Sequence, residues 1–124
     1  MVRVLIVEDQ TIFREELKRR LCENFPSMVV EEAGDGAEAL QKVGKNPQHL
    51  IFMDIRLPGI NGLQLTQKIK AGFPDMTIAM MTDYDLPEYR QAAVQYGADH
   101  FYIKNSFKWD EIDALVQSIS PGER

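Results

Sequence analysis

Two rhythms of apolar residues alternate along the chain. Short apolar-rich runs occur at Val2–Val7, Met28–Ala33, Leu50–Met53, Met76–Met81 and His100–Ile103, each closed by charged or turn residues. Runs this short, so bounded, predict buried strands rather than helices. Between them, apolar residues recur at helical spacing. Phe13, Leu17, Leu21 and Phe25 fall four apart on one stripe, and Pro26 ends that helix. Asp35 with Glu38 three residues on is a capping pattern that starts a helix over 36–43, ended by Gly44 and Pro47. Asn61 caps a third helix, whose buried side is Leu63 or Leu65, Ile69 and Phe73; Gly72 and Pro74 close it. Asp85-Leu86-Pro87-Glu88 reads as a further capping signal, for a helix that runs to about Tyr96 and stops at Gly97. Ser106 caps the last helix, where Ile112, Leu115, Val116 and Ile119 recur before Ser120-Pro121-Gly122.

Strands and helices in strict alternation predict an α/β protein with a parallel sheet covered on both faces. Right-handed crossovers leave few topologies. Five strand–helix units suit a flavodoxin-like (βα)5 three-layer sandwich with strand order 2-1-3-4-5. One domain is expected over residues 1–120, with 121–124 a tail or the start of a linker.

Composition narrows the function without adding to the fold. A chain of 124 residues can build one core without disulfide or metal staples. Its hydrophobic content of 44% and charged content of 27% are ordinary for a globular domain. No apolar run is long enough to span a membrane, and the N-terminus lacks the layout of a signal peptide, so a cytoplasmic location is expected. The single cysteine, Cys22, cannot form an internal disulfide and is expected on or near the buried side of its helix. The net charge of −5 argues against nucleic-acid binding by this domain alone.

Candidate chemistry gathers at the strand ends. The first, third, fourth and fifth strands end at Glu8-Asp9, Asp54, Thr82 and Lys104. In a parallel sheet these ends lie side by side, at the edge where ligands bind in open α/β folds. Crowded carboxylates repel one another unless a cation offsets them. Hard oxygen ligands suit Mg²⁺, with Mn²⁺ an alternative. Asp54 is the natural nucleophile, since a carboxylate can accept a phosphoryl group as an aspartyl phosphate. The metal and Lys104 would neutralise charge on the phosphoryl oxygens, and Thr82 could hydrogen-bond one of them.

Over essentially its whole length the chain resembles the receiver domain of two-component response regulators. The resemblance is carried by Val4-Leu5-Ile6-Val7-Glu8-Asp9, by the stretch Asp54 to Gly62, by Met81-Thr82, and by Gly97-Ala98-Asp99 leading to Lys104. It implies that Asp54 accepts phosphate from a sensor histidine kinase or phosphotransfer protein. It implies that Glu8 and Asp9 hold Mg²⁺ together with Asp54 and the backbone carbonyl of Arg56. Phe101 matches the position of an aromatic switch that moves with Thr82. The face made by the fourth helix, fifth strand and fifth helix then signals to an effector, either a domain C-terminal to this chain or a separate partner, with phosphorylation-linked homodimers a further expectation. A switch of this kind is not an enzyme with a separate substrate.

Several positions depart from the family pattern. Asp83 stands where a small residue is usual. If it faces the phosphoryl group, two like charges ~6 Å apart at an effective dielectric of ~20 repel by ~3 kcal/mol; if it faces solvent the penalty nearly vanishes. Asn105 replaces the proline that often follows the lysine, so the Lys104–Asn105 bond is expected to be trans or its loop less fixed. Arg56 either shields the phosphoryl group, pairs with Glu8 or is solvated. Tyr84 either limits water access or is an ordinary loop aromatic. Tyr102 and Trp109 are expected on the output face, or Trp109 against the start of the last helix; His49 and His100 have no assigned role. If Asp83 and Asn105 spoil the site, the chain is instead a phosphate-independent interaction module. A flavodoxin-type cofactor binder is disfavoured because Glu8-Asp9-Gln10-Thr11-Ile12 is acidic where a phosphate loop is needed. A phosphohydrolase with an aspartate nucleophile would want a second Asp where Arg56 stands.

Overall fold

The structure is a computed structural model that describes residues 2–119. Its elements in chain order are β1 (Arg3–Val7), α1 (Thr11–Asn24), β2 (Val29–Ala33), α2 (Gly36–Lys45), β3 (Leu50–Asp54), α3 (Gly62–Gly72), β4 (Thr77–Thr82), α4 (Pro87–Gln95), β5 (His100–Ile103) and α5 (Trp109–Ile119). The five strands form one parallel sheet in the order β2-β1-β3-β4-β5. This is the expected flavodoxin-like arrangement. The expected 121–124 tail lies outside the described residues.

The period of two along each strand splits the core into two layers. Val4, Ile6, Leu50, Phe52, Ala79 and Met81 pack with Leu17 and Leu21 of α1 and with Ile112, Leu115 and Val116 of α5. The intervening Leu5, Val7, Ile51, Met53, Ile78 and Met80 pack with Ala39 and Val43 of α2, Leu65 and Ile69 of α3 and Ala93 of α4. Every residue of β3 is buried, as expected of a central strand with helices on both sides.

Helix ends follow local chemistry, with exceptions. The Asp35 carboxylate accepts from the Glu38 N–H at 2.9 Å, and Asn61 Oδ1 accepts from the Gln64 N–H at 2.9 Å, as expected of N-caps. Two expected caps are not used. α4 begins at Pro87 with Leu86 as its N-cap, not Asp85. Proline disfavours helical backbone at the residue before it, which sets the boundary one residue later. Ser106 lies in the turn after β5, and α5 begins three residues on, where the Lys108 N–H donates to Glu111 Oε1 at 2.8 Å. Cys22 is exposed, contrary to expectation. It follows Leu21 by one residue, a rotation of about 100° away from the buried stripe. No described helix is long and apolar enough to cross a membrane.

Candidate phosphoacceptor and metal site

Strand periodicity aims three charged side chains into one pocket. Glu8, Asp54 and Lys104 follow Ile6, Phe52 and Tyr102 by two, and those three residues belong to the layer under α1 and α5. Thr82 follows Met80 by two and therefore rises from the opposite layer. The register of the sheet brings the ends together: Val7 pairs with Met53, Asp54 with Met81, and Thr82 with Ile103.

Close approach of α3 shapes the rim. The Gly62 N–H donates to the Ile55 carbonyl at 2.7 Å. A Cβ on Gly62 would lie 1.9 Å from the Asp54 carbonyl oxygen, so no larger residue fits there without moving β3.

Glu8, Asp9 and Asp54 each offer a carboxylate oxygen within 4.8 Å of the others. Glu8 and Asp54 are buried, at 2% and 5% exposure, whereas Asp9 is exposed. Lys104 supplies a single cation to this group: its Nζ is 2.6 Å from Glu8 Oε1 and 3.5 Å from Asp54 Oδ2, with its side chain only 4% exposed. The ammonium also sits 4.9 Å from the centre of the Phe13 ring, which closes the side toward α1. One lysine cannot balance three acids. Burial, then the neighbouring Glu8 carboxylate, raises the Asp54 pKa from 3.8 to about 7 against the opposing pull of Lys104. A divalent cation fits this donor set: hard oxygens, close together, with unbalanced negative charge.

The Thr82 hydroxyl is buried and accepts from the Tyr84 N–H at 3.2 Å, so in this state it is engaged by its own loop. Lys104 is also held through its backbone, whose N–H donates to the Thr82 carbonyl at 2.7 Å. The Lys104–Asn105 bond is trans. Phe101 is half-buried against the α2–α4 layer, with the Arg90 guanidinium 4.6 Å from its ring centre. Arg56 does not pair with Glu8, whose cation is Lys104. Its guanidinium lies 4.5 Å from the centre of the Tyr84 ring, which in turn is 5.9 Å from Tyr89. Trp109 packs edge-on against Phe107 at 4.9 Å and under Arg20, at the start of α5. Asp83 does not simply face water: its Oδ2 accepts from Gln10 Nε2 at 3.3 Å. Gln10, Phe13 and Phe107 also border the pocket or its neighbours, although the pattern of the chain marks Phe13 only as a core residue of α1. Phe13 alone could have been suspected, since its stripe runs up α1 to the acidic loop.

Comparison with known proteins agrees with this arrangement. The response regulator receiver domain family matches residues 4–117 of the chain, which belongs to that family. Response regulator MprA of Mycobacterium sp. (strain KMS) is 32% identical over 126 residues, covering 98% of this chain and 54% of its own length. Transcriptional regulatory protein DegU of Brevibacillus brevis is 28% identical, covering 95% of this chain and 48% of its own. The chain thus spans about half the length of these curated relatives. Among solved structures, response regulator protein TrrA of Thermotoga maritima, in complex with Mg²⁺-BeF, is 34% identical with a TM-score of 0.84, covering 96% of this chain and 99% of that one. A CheY-like receiver domain protein of Methanospirillum hungatei is 28% identical with a TM-score of 0.86, covering 99% and 97%. The chain is a receiver domain of two-component signalling.

Proposed function

We propose that this receiver takes a phosphoryl group onto Asp54 with a divalent cation, Mg²⁺, held by Glu8, Asp9 and Asp54 and by the Arg56 carbonyl. The observation that carries the reading is the unbalanced pocket: three carboxylates within 4.8 Å, served by one buried lysine. Bound there, Mg²⁺ would offset the repulsion among the acids and draw negative charge off the transferring phosphoryl oxygens. The Mg²⁺-BeF complex of TrrA supports the same use of the pocket here.

Asp54 is the acceptor because it stands at the end of the central strand, buried yet reachable from the rim. Its carboxylate oxygen forms the new bond to phosphorus as the phosphorus–nitrogen bond of a kinase phosphohistidine breaks, and the imidazole leaves with the electron pair. With a pKa of about 7 when metal-free, a share of Asp54 carries a proton at neutral pH and is unreactive. Exchange of the Lys104 ammonium from Glu8 to a phosphoryl oxygen gives it a second task within the same pocket. Thr82 accepts from the Tyr84 N–H through a lone pair, which leaves its own O–H proton able to donate to that phosphoryl group. Phe101 is the ring that would follow this movement, and Arg90 the side chain it would leave.

The partners that follow are a sensor histidine kinase or phosphotransfer protein, an effector, and phosphorylation-linked homodimers. The greater length of MprA and DegU supports an effector joined to this domain. Asp83, docked at the rim, favours a second reading in which the domain works without phosphate. Mass spectrometry after incubation with an acyl phosphate and Mg²⁺ separates the two. A gain of one phosphate that Asp54→Ala abolishes is the expected result. No gain by a folded chain would favour the second reading, and a gain that survives Asp54→Ala would overturn Asp54 as the acceptor.

A further inference from the structure

Gln10 is the N-cap residue of α1, yet its side chain caps nothing in that helix. N-caps are usually residues short enough to reach their own backbone, which glutamine is not. Its side chain is used elsewhere. Gln10 Oε1 accepts from Lys104 Nζ at 3.2 Å, and its Nε2 donates to Asp83 Oδ2 at 3.3 Å. Its backbone N–H donates to Glu8 Oε2 at 3.0 Å. One residue thereby ties together the ends of β1, β4 and β5. The polarity is obligatory. An ammonium can only donate and a carboxylate can only accept, so the link requires a side chain that does both in opposite directions. Glutamate lacks the donor; lysine and arginine lack the acceptor.

We propose that Gln10 is a positioning residue that latches the metal-free state: anchored by Asp83, its amide holds Lys104 against Glu8. This deepens the reading above and rests on it. A divalent cation taking Glu8 must displace the Lys104 ammonium from a contact of 2.6 Å. Phe13 closes one side of the ammonium and the Gln10 oxygen closes another, so the lysine leaves only when the amide lets go. Asp83, the unusual residue beside Thr82, acquires a role here. It is the acceptor that keeps the amide turned with its oxygen toward Lys104.

The test is a calorimetric Mg²⁺ titration of the chain carrying Gln10→Ala, Asp83→Ala, Asp83→Asn and the pairs of Gln10→Ala with each. Loss of the latch should tighten Mg²⁺ binding about threefold or more on Gln10→Ala in the wild-type background. The gain should persist beside Asp83→Asn, which keeps an acceptor oxygen, and vanish beside Asp83→Ala, which has none. An unchanged affinity on Gln10→Ala, or the same gain in all backgrounds, would overturn the latch. A readout independent of metal is the Gln10 side-chain amide resonance. It should sit away from free-glutamine values without Mg²⁺, move toward them in Asp83→Ala, and do the same when Mg²⁺ is added to the wild type. Free-glutamine values in the metal-free wild type would sink the latch even if Mg²⁺ binds. A shifted amide beside a wild type that binds no Mg²⁺ would instead sink the metal reading and leave the clasp standing.

Discussion

The two ends of the same sheet treat charge in opposite ways. At the amino-terminal edge, ions come in balanced, half-exposed pairs. Arg3 meets Glu31 at 3.3 Å, with 29% and 26% of the side chains exposed. Lys70 meets Asp99 at 2.9 Å, and the same Asp99 oxygen accepts the Ile78 N–H, so the acid is paired with a cation and with the backbone of β4. At the carboxyl edge, three acids cluster, two of them are buried, and one lysine meets those two. The first arrangement is what stability alone favours. The second is tolerated at a cost in stability, and an incoming divalent cation is what would complete its balance.

The strongest way to break the contrast is to remove one lysine from each end. Lys104→Met leaves Glu8 buried without its cation and should cost about 4 kcal/mol in urea unfolding, partly restored by Mg²⁺. Lys70→Met should cost about 1 kcal/mol with no restoration by metal. Equal losses would erase the distinction between the two edges.

Gly62→Ala attacks the carboxyl edge through the backbone. The added methyl has no room beside the Asp54 carbonyl. A loss of about 3 kcal/mol is expected, together with a weaker response to Mg²⁺ in thermal unfolding.

Titration sharpens the comparison next. The Asp54 pKa is about 7 in the fold against an ordinary 3.8, so between these values the folded chain binds more protons than the unfolded one. Stability tied to this group is therefore full below about pH 4 and is lost as pH rises through about 7. Metal-free thermal midpoints should fall from pH 5 to pH 8, and Asp54→Asn should flatten that slope. A slope untouched by Asp54→Asn would assign the pH dependence elsewhere.

The smallest expected effect is the control. Asp35→Ala removes a helix cap that belongs to none of the clustered carboxylates and should cost about 1 kcal/mol while leaving Mg²⁺ affinity unchanged.

Much of this molecule could be read before it was seen. Alternating rhythms gave five strands, five helices and their order, because each segment had to bury a stripe or a face of fixed period. The short apolar run before Asp54 announced a central strand, and the parallel topology then placed Glu8, Asp9, Asp54, Thr82 and Lys104 on one edge. The misreadings were local. Asp85 and Ser106 have the chemistry of caps, but Pro87 and the turn after Ile103 moved both helix starts. Cys22 was misplaced because its neighbour Leu21, not its own polarity, set which side of α1 was buried.

Which residues stand at the mouth of the pocket was written in the chain; which of them touch was not. Nothing local tells Arg56 to lie over Tyr84 rather than pair with Glu8, or Gln10 to reach Asp83 and Lys104, 73 and 94 residues away. Periodicity acts over a few residues and can be read as a pattern. Partnerships between long side chains depend on distances that exist only after the strands have stacked, so they belong to the tertiary structure.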